Sequence, residues 1–353
     1  MKKIVISGYY GFNNLGDEAV LAGIISLLKN RNKNLKITVL SASPKKTAEL
    51  YNVNAVSRTS LMQILAALAE ADLFISGGGS LLQDVTGSFS VPYYLGMAWL
   101  AKMQGTKTVY YAQGAGPLNK WWSQKLTALT LNRFELLGVR DQGSQNLLKK
   151  IGVKKEVELT VDPVFALYDP LANQRQQIKA KVEVGISVRP WSVDYLEELA
   201  AGLNQFARDN NIKFILFPMH QGSDDETSNQ LQRKLESEAE IYDLPAVPSE
   251  ALKAFSQLDL FVGVRLHSLI FALLNQVPLL ALSYDPKIEG LMSEIDYLPL
   301  IKLEDLEAAE VAASLEAIFA ERYSLRKKIK EFLMQKKTEA EDFAELVLEE
   351  VDS

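Results

Sequence analysis

Residues 259–291, DLFVGVRLHSLIFALLNQVPLLALSYDPKIEGL, narrow the choice of fold more than any other stretch of the chain. A short apolar run, Leu260–Val264, reads as a buried strand that ends at Arg265 and His267. An apolar helix to about Asn275 follows, then a second buried strand, Pro278–Ser283, and a Lys-bearing turn into another helix. Phe261–Ser283 is long and apolar enough to raise the question of a membrane span. Arg265, His267, Asn275, Gln276 and Pro278 interrupt it, which favours strand–helix–strand. Strands that are apolar throughout belong to parallel sheets covered on both faces.

The same alternation of short apolar runs and amphipathic stretches extends over most of the chain, the pattern of βαβ units. The first half predicts strands at Lys3–Ser7, Lys36–Leu40, Leu73–Ser76, Thr108–Ala112, Leu136–Val139 and Val157–Leu159. Helices are predicted at Asp17–Leu28, Ser60–Ala69, Pro92–Met103, Trp121–Arg133 and Gln142–Ile151. After Pro163 a polar stretch, Tyr168–Lys181, marks a domain boundary. The pattern restarts with strand Glu183–Val188, helix Val193–Asp209, strand Lys213–Phe217 and helices Asp225–Ser237 and Ser249–Ser256. The charged segment Glu304–Ser353 predicts two helices, the last from about Leu325 to Glu350. The expected layout is α/β, with two doubly wound, Rossmann-like domains (residues 1–170 and 171–303) facing across a cleft and a helical tail (304–353). At 353 residues, two cores are the expectation.

Composition removes several function classes. The net charge of −6 speaks against a nucleic-acid binder, which would show a basic stripe. An anionic ligand must be drawn by a local cluster. Cysteine is absent, so thiolate catalysis and Cys-rich metal sites are excluded. With only His220 and His267 as histidines, no metal site is expected. The N-terminal apolar run is too short for a signal segment and reads as the first strand. A soluble, cytoplasmic protein is expected.

In open α/β sheets, ligands bind beyond the carboxyl ends of the strands, so the loops there are the places to look. The first, GYYGFNNLGDEAVL, holds Asn14, Gly16 and Asp17. Its glycines allow close backbone approach, yet it lacks both the dinucleotide spacing and a P-loop lysine. Asp17 is either a group for chemistry or a cap of the first helix. The second, SGGGSLLQD, sets Gly77, Gly78, Gly79 and Ser80 after a buried strand, where three glycines lend no packing. The third, AQGAGP, is a weaker copy. Arg140, in GVRDQGS, is an anion contact or a plain helix-start residue. In the second half, Arg189 follows a strand in SVRPW and His220 follows one in FPMHQGSDDE. A single arginine there could equally serve a salt bridge, and a loop histidine is usually solvated. Arg265 and His267 are separated by one residue, so one can hold a carboxylate or phosphate while the other moves protons. The bland alternative is a histidine satisfied in the core. Lys287 completes the cations, and Glu289 would orient it or meet a sugar hydroxyl.

Taken together, GYYGFNNLGDEAVL, FISGGGSLLQD, YYAQGAGP, GVRDQGS, VDPVF, SVRPW, GVRLHSLIFALL and PKIEGL resemble the polysaccharide pyruvyltransferase family, particularly its CsaB-like bacterial cell-wall branch. The resemblance runs from Gly8 to Leu291. It implies a fold similar to glycosyltransferase type B and transfer of a pyruvyl group from phosphoenolpyruvate to a sugar as a ketal. Phosphoenolpyruvate would be a co-substrate, with no cofactor needed. The implied acceptor in that branch is an N-acetylmannosamine-containing, lipid-linked saccharide, which would bring a protein without a transmembrane segment to the inner face of the plasma membrane. The family's donor residues map onto Arg265, His267 and Lys287. Beside them, Arg189, His220 and Arg140 are read as donor contacts, His267 as the acid–base, and Asp17 as a base on the acceptor hydroxyl. Asn14, Gly16, Gly77–Ser80 and Glu289 would line the acceptor side. A nucleotide-sugar glycosyltransferase is the alternative enzyme, and a non-catalytic saccharide-binding protein the alternative class. Oligomeric state is not legible.

Overall fold

A computed structural model describes residues 1–85, 87, 89–171, 181–220 and 222–352. The chain divides into two compact units, Met1–Leu167 with Lys336–Ser353, and Tyr168–Gln335. The part of the boundary stretch at 172–180 lies outside the described residues.

The first unit runs β1 (Lys2–Ser7), α1 (Leu15–Arg31), β2 (Leu35–Ser41), α2 (Pro44–Tyr51), β3 (Asn54–Ser57), α3 (Leu61–Ala69), β4 (Leu73–Gly77), α4 (Ser90–Met103), β5 (Lys107–Gln113), α5 (Trp121–Leu131), β6 (Leu136–Val139), α6 (Gln142–Lys150) and β7 (Glu158–Leu159). Its parallel strands lie in the order β3-β2-β1-β4-β5-β6-β7. The central strands are apolar and buried, among them Ile4, Ile6, Leu73, Phe74, Ile75 and Val109. The strand order reverses between β1 and β4. The loops that leave those two strands, GYYGF and GGGS, therefore flank the crevice where such sheets take ligands.

The second unit repeats the plan with β8 (Val182–Ser187), α7 (Leu196–Arg208), β9 (Ile212–Leu216), α8 (Asp225–Lys234), β10 (Glu238–Ile241), α9 (Pro248–Phe255), β11 (Leu260–Gly263), α10 (Leu266–Leu274), β12 (Leu279–Ser283), α11 (Pro286–Ser293) and β13 (Leu300–Lys302). The order is β10-β9-β8-β11-β12-β13, again all parallel. Here the reversal falls between β8 and β11, the strands that lead into Arg189 and Arg265. The apolar segment 261–283 resolves into β11, α10 and β12, packed through Phe217, Phe255 and Phe271. Among the described residues, no helix is long and apolar enough to cross a membrane.

Three strands escape a sequence reading: β3, β10 and β13. All sit at sheet edges. Edge strands are short and carry polar or charged groups that blunt further pairing, as in EAEI of β10 and NAVS of β3, while β13 is only three residues, LIK. The tail also differs from expectation. One helix, α12 (Ala308–Asp352), replaces the two predicted. Residues 308–352 contain no glycine or proline, so nothing in them breaks the hydrogen-bond ladder.

The early part of α12 belongs to the second unit, where Phe319 packs edge-on to Phe206 at 6.0 Å. Its end belongs to the first unit. There Phe343 meets Tyr111 edge-on at 5.1 Å and lies against bare Gly138, where a Cβ would come within 2.1 Å of the ring. Arg31 pairs with Glu345 at 2.9 Å, and the Lys2 ammonium donates to the Val351 carbonyl at 2.6 Å.

Candidate functional site

In the first unit, the loops after β1, β4, β5 and β6 are knitted into one network. Asn14 caps α1, its side chain accepting from the Gly16 N–H at 3.1 Å. Asp17 is therefore not the cap but lies inside the first turn. Neighbouring Glu18 is buried, accepting from the Gly11 N–H at 2.8 Å and the Tyr51 hydroxyl at 2.6 Å. The Tyr10 hydroxyl donates to the Gly77 carbonyl at 2.7 Å, joining the first loop to the second. Burial, and then the charges of Asp17 and Glu18, raise its pKa far above the usual phenol, so it stays a donor. Gly78 and Gly79 take φ of 84° and 63°, the left-handed region that favours glycine. A Cβ on Gly79 would sit 2.5 Å from an Asp17 carboxylate oxygen, so that carboxylate rests against bare backbone.

Arg140 closes the network. Its guanidinium bonds the Asp162 carboxylate, lies 3.9 Å from Asp141 and donates to the Ser80 hydroxyl at 3.2 Å. The Arg140 and Asp162 side chains are only 6% and 4% exposed. Burial disfavours the Arg140 charge, but Asp162, then Asp141 and Asp17, outweigh it and raise its pKa. The Gly79 carbonyl accepts from the Gly114 N–H at 2.9 Å, tying in AQGAGP. The structure thus brings together Asp17, Gly79, Ser80 and Arg140. Asp162 and Tyr10 belong with them; both lie in sequence motifs, VDPVF and GYYGFNNLGDEAVL, but neither is among the site residues expected from the sequence.

In the second unit, Arg189 leaves β8 and reaches the Tyr284 hydroxyl beyond β12, across the end of β11. The guanidinium also lies 4.8 Å and 5.3 Å from the ring centroids of Tyr284 and Trp191. Such stacking holds the cation's plane without neutralising its charge. Tyr195 fixes the Arg189 backbone, its hydroxyl donating to the Arg189 carbonyl at 2.7 Å. Burial pushes the Tyr195 phenol up to about 12, with Asp224, Arg189 and Arg265 all within electrostatic reach of it.

Arg265 makes a two-pronged ion pair with Asp224, its Nε donating at 2.6 Å. Asp224 is fully buried and Arg265 is 19% exposed. The same carboxylate accepts from the His220 N–H at 3.1 Å, so His220 is held by its backbone and its loop is tied to the Arg265 loop. The sequence offers Arg265's fork to a ligand, whereas the structure shows two of its nitrogens on Asp224. His267 lies half-buried in the first turn of α10, two residues beyond the Arg265 cap position. Lys287 occupies the first turn of α11, its N–H donating to the Asp285 cap at 2.9 Å. Glu289 is exposed, accepts from Ser283 at 3.3 Å and lies 3.9 Å from Lys302. Arg189, Arg265, His267 and Lys287 therefore share the carboxyl edge of one sheet, on the adjacent strands β8, β11 and β12. Trp191, Tyr284 and Asp224 are the residues that sequence reasoning missed there. The aromatic in SVRPW and the acidic pair in FPMHQGSDDE are the hints the sequence holds.

A family model for polysaccharide pyruvyl transferase matches residues 14–286, most of both sheets and every strand-end loop just described except the start of the first and the turn from Lys287 onward. The chain belongs to this family. The polysaccharide pyruvyl transferases are transferases, and the match places the chain among enzymes of polysaccharide biosynthesis. No match was found among curated proteins. Solved structures give the fold. A glycosyltransferase from Rickettsia africae aligns with a TM-score of 0.67 and 14% identity, over 99% of this chain and 98% of that one. The UDP-GlcNAc 2-epimerase of Neisseria meningitidis, bound to UDP-GlcNAc, gives 0.66 and 13%, over 99% of both chains. MurG of Acinetobacter baumannii gives 0.56 and 11%, over 99% of this chain and 100% of that one. At these identities the likeness is one of fold, the glycosyltransferase-B-like pair of Rossmann-like halves with a C-terminal helix.

Proposed function

We propose that this family member moves the pyruvyl group of phosphoenolpyruvate onto two hydroxyls of one sugar in a cell-wall or exopolysaccharide precursor. The product is a ketal, and phosphate is released. One observation carries the reading: Arg189, Arg265, His267 and Lys287 stand on adjacent strand ends of the second unit, at the reversal of strand order. A three-carbon donor with both a carboxylate and a phosphate needs several cations within a few ångströms of one another. No sulfur nucleophile exists in the chain to suggest a covalent route.

His267 protonates the methylene carbon of the donor, and C2 becomes oxocarbenium-like. A sugar hydroxyl adds to C2 and its proton passes to a base. The C2–O bond to phosphate then breaks, Arg189 and Lys287 offsetting the charge of the departing group. A second hydroxyl closes the ketal and its proton goes to the released phosphate, while the first hydroxyl's proton restores His267, so donor plus diol becomes ketal plus phosphate. Arg265, clamped by Asp224, contributes its remaining N–H groups and fixes the segment that carries His267. A lipid-linked, N-acetylmannosamine-containing acceptor, and work at the cytoplasmic membrane face, follow from the cell-wall branch as proposals.

The test is incubation of the purified protein with phosphoenolpyruvate and candidate saccharides, read by phosphate release and by mass spectrometry. The added pyruvyl mass on a saccharide is expected. Thermal protection by a nucleotide sugar with no phosphate release would point to the glycosyltransferase alternative. Saccharide binding with no release under any condition would point to a binding protein.

A further inference from the structure

The first loop contains a feature that the donor chemistry does not use. Tyr9 and Phe12 stack face to face, ring centroids 4.2 Å apart and planes 11° from parallel, and both are exposed, at 37% and 38%. Arg58 lies behind Phe12 at 4.9 Å, and Tyr93 lies 4.4 Å from the same guanidinium, with Tyr94 at 5.7 Å. The Tyr93 hydroxyl donates to the Arg58 carbonyl at 2.9 Å, locking the base of the stack. The loop is anchored elsewhere too. The Gly11 carbonyl accepts from the Ser43 hydroxyl at 3.0 Å and the Asn13 side chain accepts from Lys46 at 2.7 Å.

Tyr93, Arg58, Phe12 and Tyr9 thus form a column rooted in the first unit. Two large rings are held rigidly in partial contact with water, where burial would have stabilised them better. We propose that the Tyr9–Phe12 pair is a stacking platform for a sugar ring of the saccharide acceptor. The apolar face of a pyranose presents C–H groups, which the electron-rich face of an aromatic ring attracts. A flat, preorganised surface loses little entropy when it binds. The platform sits on the loop that leaves β1 at the strand-order reversal, and that loop runs on directly to Asn14 and Asp17. A sugar ring on it would be held by the same strand-end loop that carries Asn14 and Asp17. The inference rests on the pyruvyl-transfer reading only for calling the sugar an acceptor.

Two measurements test it. In Tyr9→Ala and Phe12→Ala, the acceptor KM is expected to rise about tenfold or more, while the phosphoenolpyruvate KM stays at the wild-type value. Separately, Tyr9→Trp provides a fluorophore to titrate with N-acetylmannosamine-, N-acetylglucosamine- and galactose-containing oligosaccharides, with uridine nucleotides as controls. Saturable change with at least one saccharide and none with nucleotide is expected. An unchanged acceptor KM in both alanine variants overturns the platform, as does a fluorophore blind to every saccharide or responsive to nucleotide alone. If the wild type transfers no pyruvyl group but the indole of the Tyr9→Trp variant still reports saccharide, the reaction reading falls and the platform stands.

Discussion

The two units build the same sheet and treat their strand-end cations in opposite ways. In the first, Arg140 is enclosed by Asp162, Asp141 and Ser80, and its charge is consumed by the scaffold. In the second, Arg189 is stacked on Tyr284 and Trp191, which orient it without cancelling it. Arg265 stands between the two cases, its fork held by buried Asp224 while its side chain stays partly open. A fold repeated within one chain can thus make an arginine a rivet in one copy and set it against aromatic rings in the other. The decision is made by whether a carboxylate or an aromatic ring lies opposite it.

That contrast can be broken in several ways. His267→Ala should have the largest effect, lowering kcat by about a hundredfold or more while phosphoenolpyruvate binding by calorimetry survives. His220→Ala, whose backbone makes the structural contact, should do much less. Near-normal turnover in His267→Ala rejects its role. Next, Asp162→Ala should strand the buried Arg140 charge and lower stability by about 3–5 kcal/mol in denaturant titration. Arg140→Met combined with Asp162→Leu should recover much of that loss. If the double variant is stable but cannot bind donor, the first unit's arginine is no rivet.

Arg189→Met should raise the donor KM by roughly ten- to a hundredfold, the range for a hydrogen bond to a charged group, with little change in melting temperature. A collapse in stability with donor binding intact would reverse the contrast. The smallest effect belongs to Glu135 in the first unit, which accepts from Lys102 at 2.6 Å and from the Thr108 N–H at 2.7 Å. Burial would raise its pKa, but the Lys102 hydrogen bond and the Thr108 N–H lower it below the usual carboxylate range. Its stabilisation is therefore complete above about pH 4.3 and is lost as the pH falls through the lowered pKa. Glu135→Gln should cost about 1 kcal/mol or less at neutral pH, and the difference from wild type should vanish in acid melts.

How much could be read beforehand follows from what each part is made of. Central strands such as β4 and β11 are apolar throughout, so their existence and the glycine or cation that follows them are visible in sequence. β3 and β10 lie at edges, where neighbouring chain on one side alone demands no apolar run, and β13 is too short, at three residues, to stand out. The tail predicts two helices, yet no breaker residue lies within Ala308–Asp352, and one helix runs its whole length. At the site, the residue types at strand ends were legible, but their partners were not. Asp224 lies 41 residues before Arg265, and Tyr284 lies 95 after Arg189. Only the sheet order brings these pairs together. The stack of Tyr9 and Phe12 was equally hidden, since both rings look like ordinary core residues until Arg58 is found behind them.

The last turns of α12 have a consequence for how the polypeptide is born. A ribosome finishes residues up to Leu167 long before it delivers Lys336 onward, so Tyr111 and Gly138 wait uncovered until Phe343 arrives to seal them. The earliest-made half is thus the last to be completed. Trimming the chain back past Phe343 would injure the protein near its beginning.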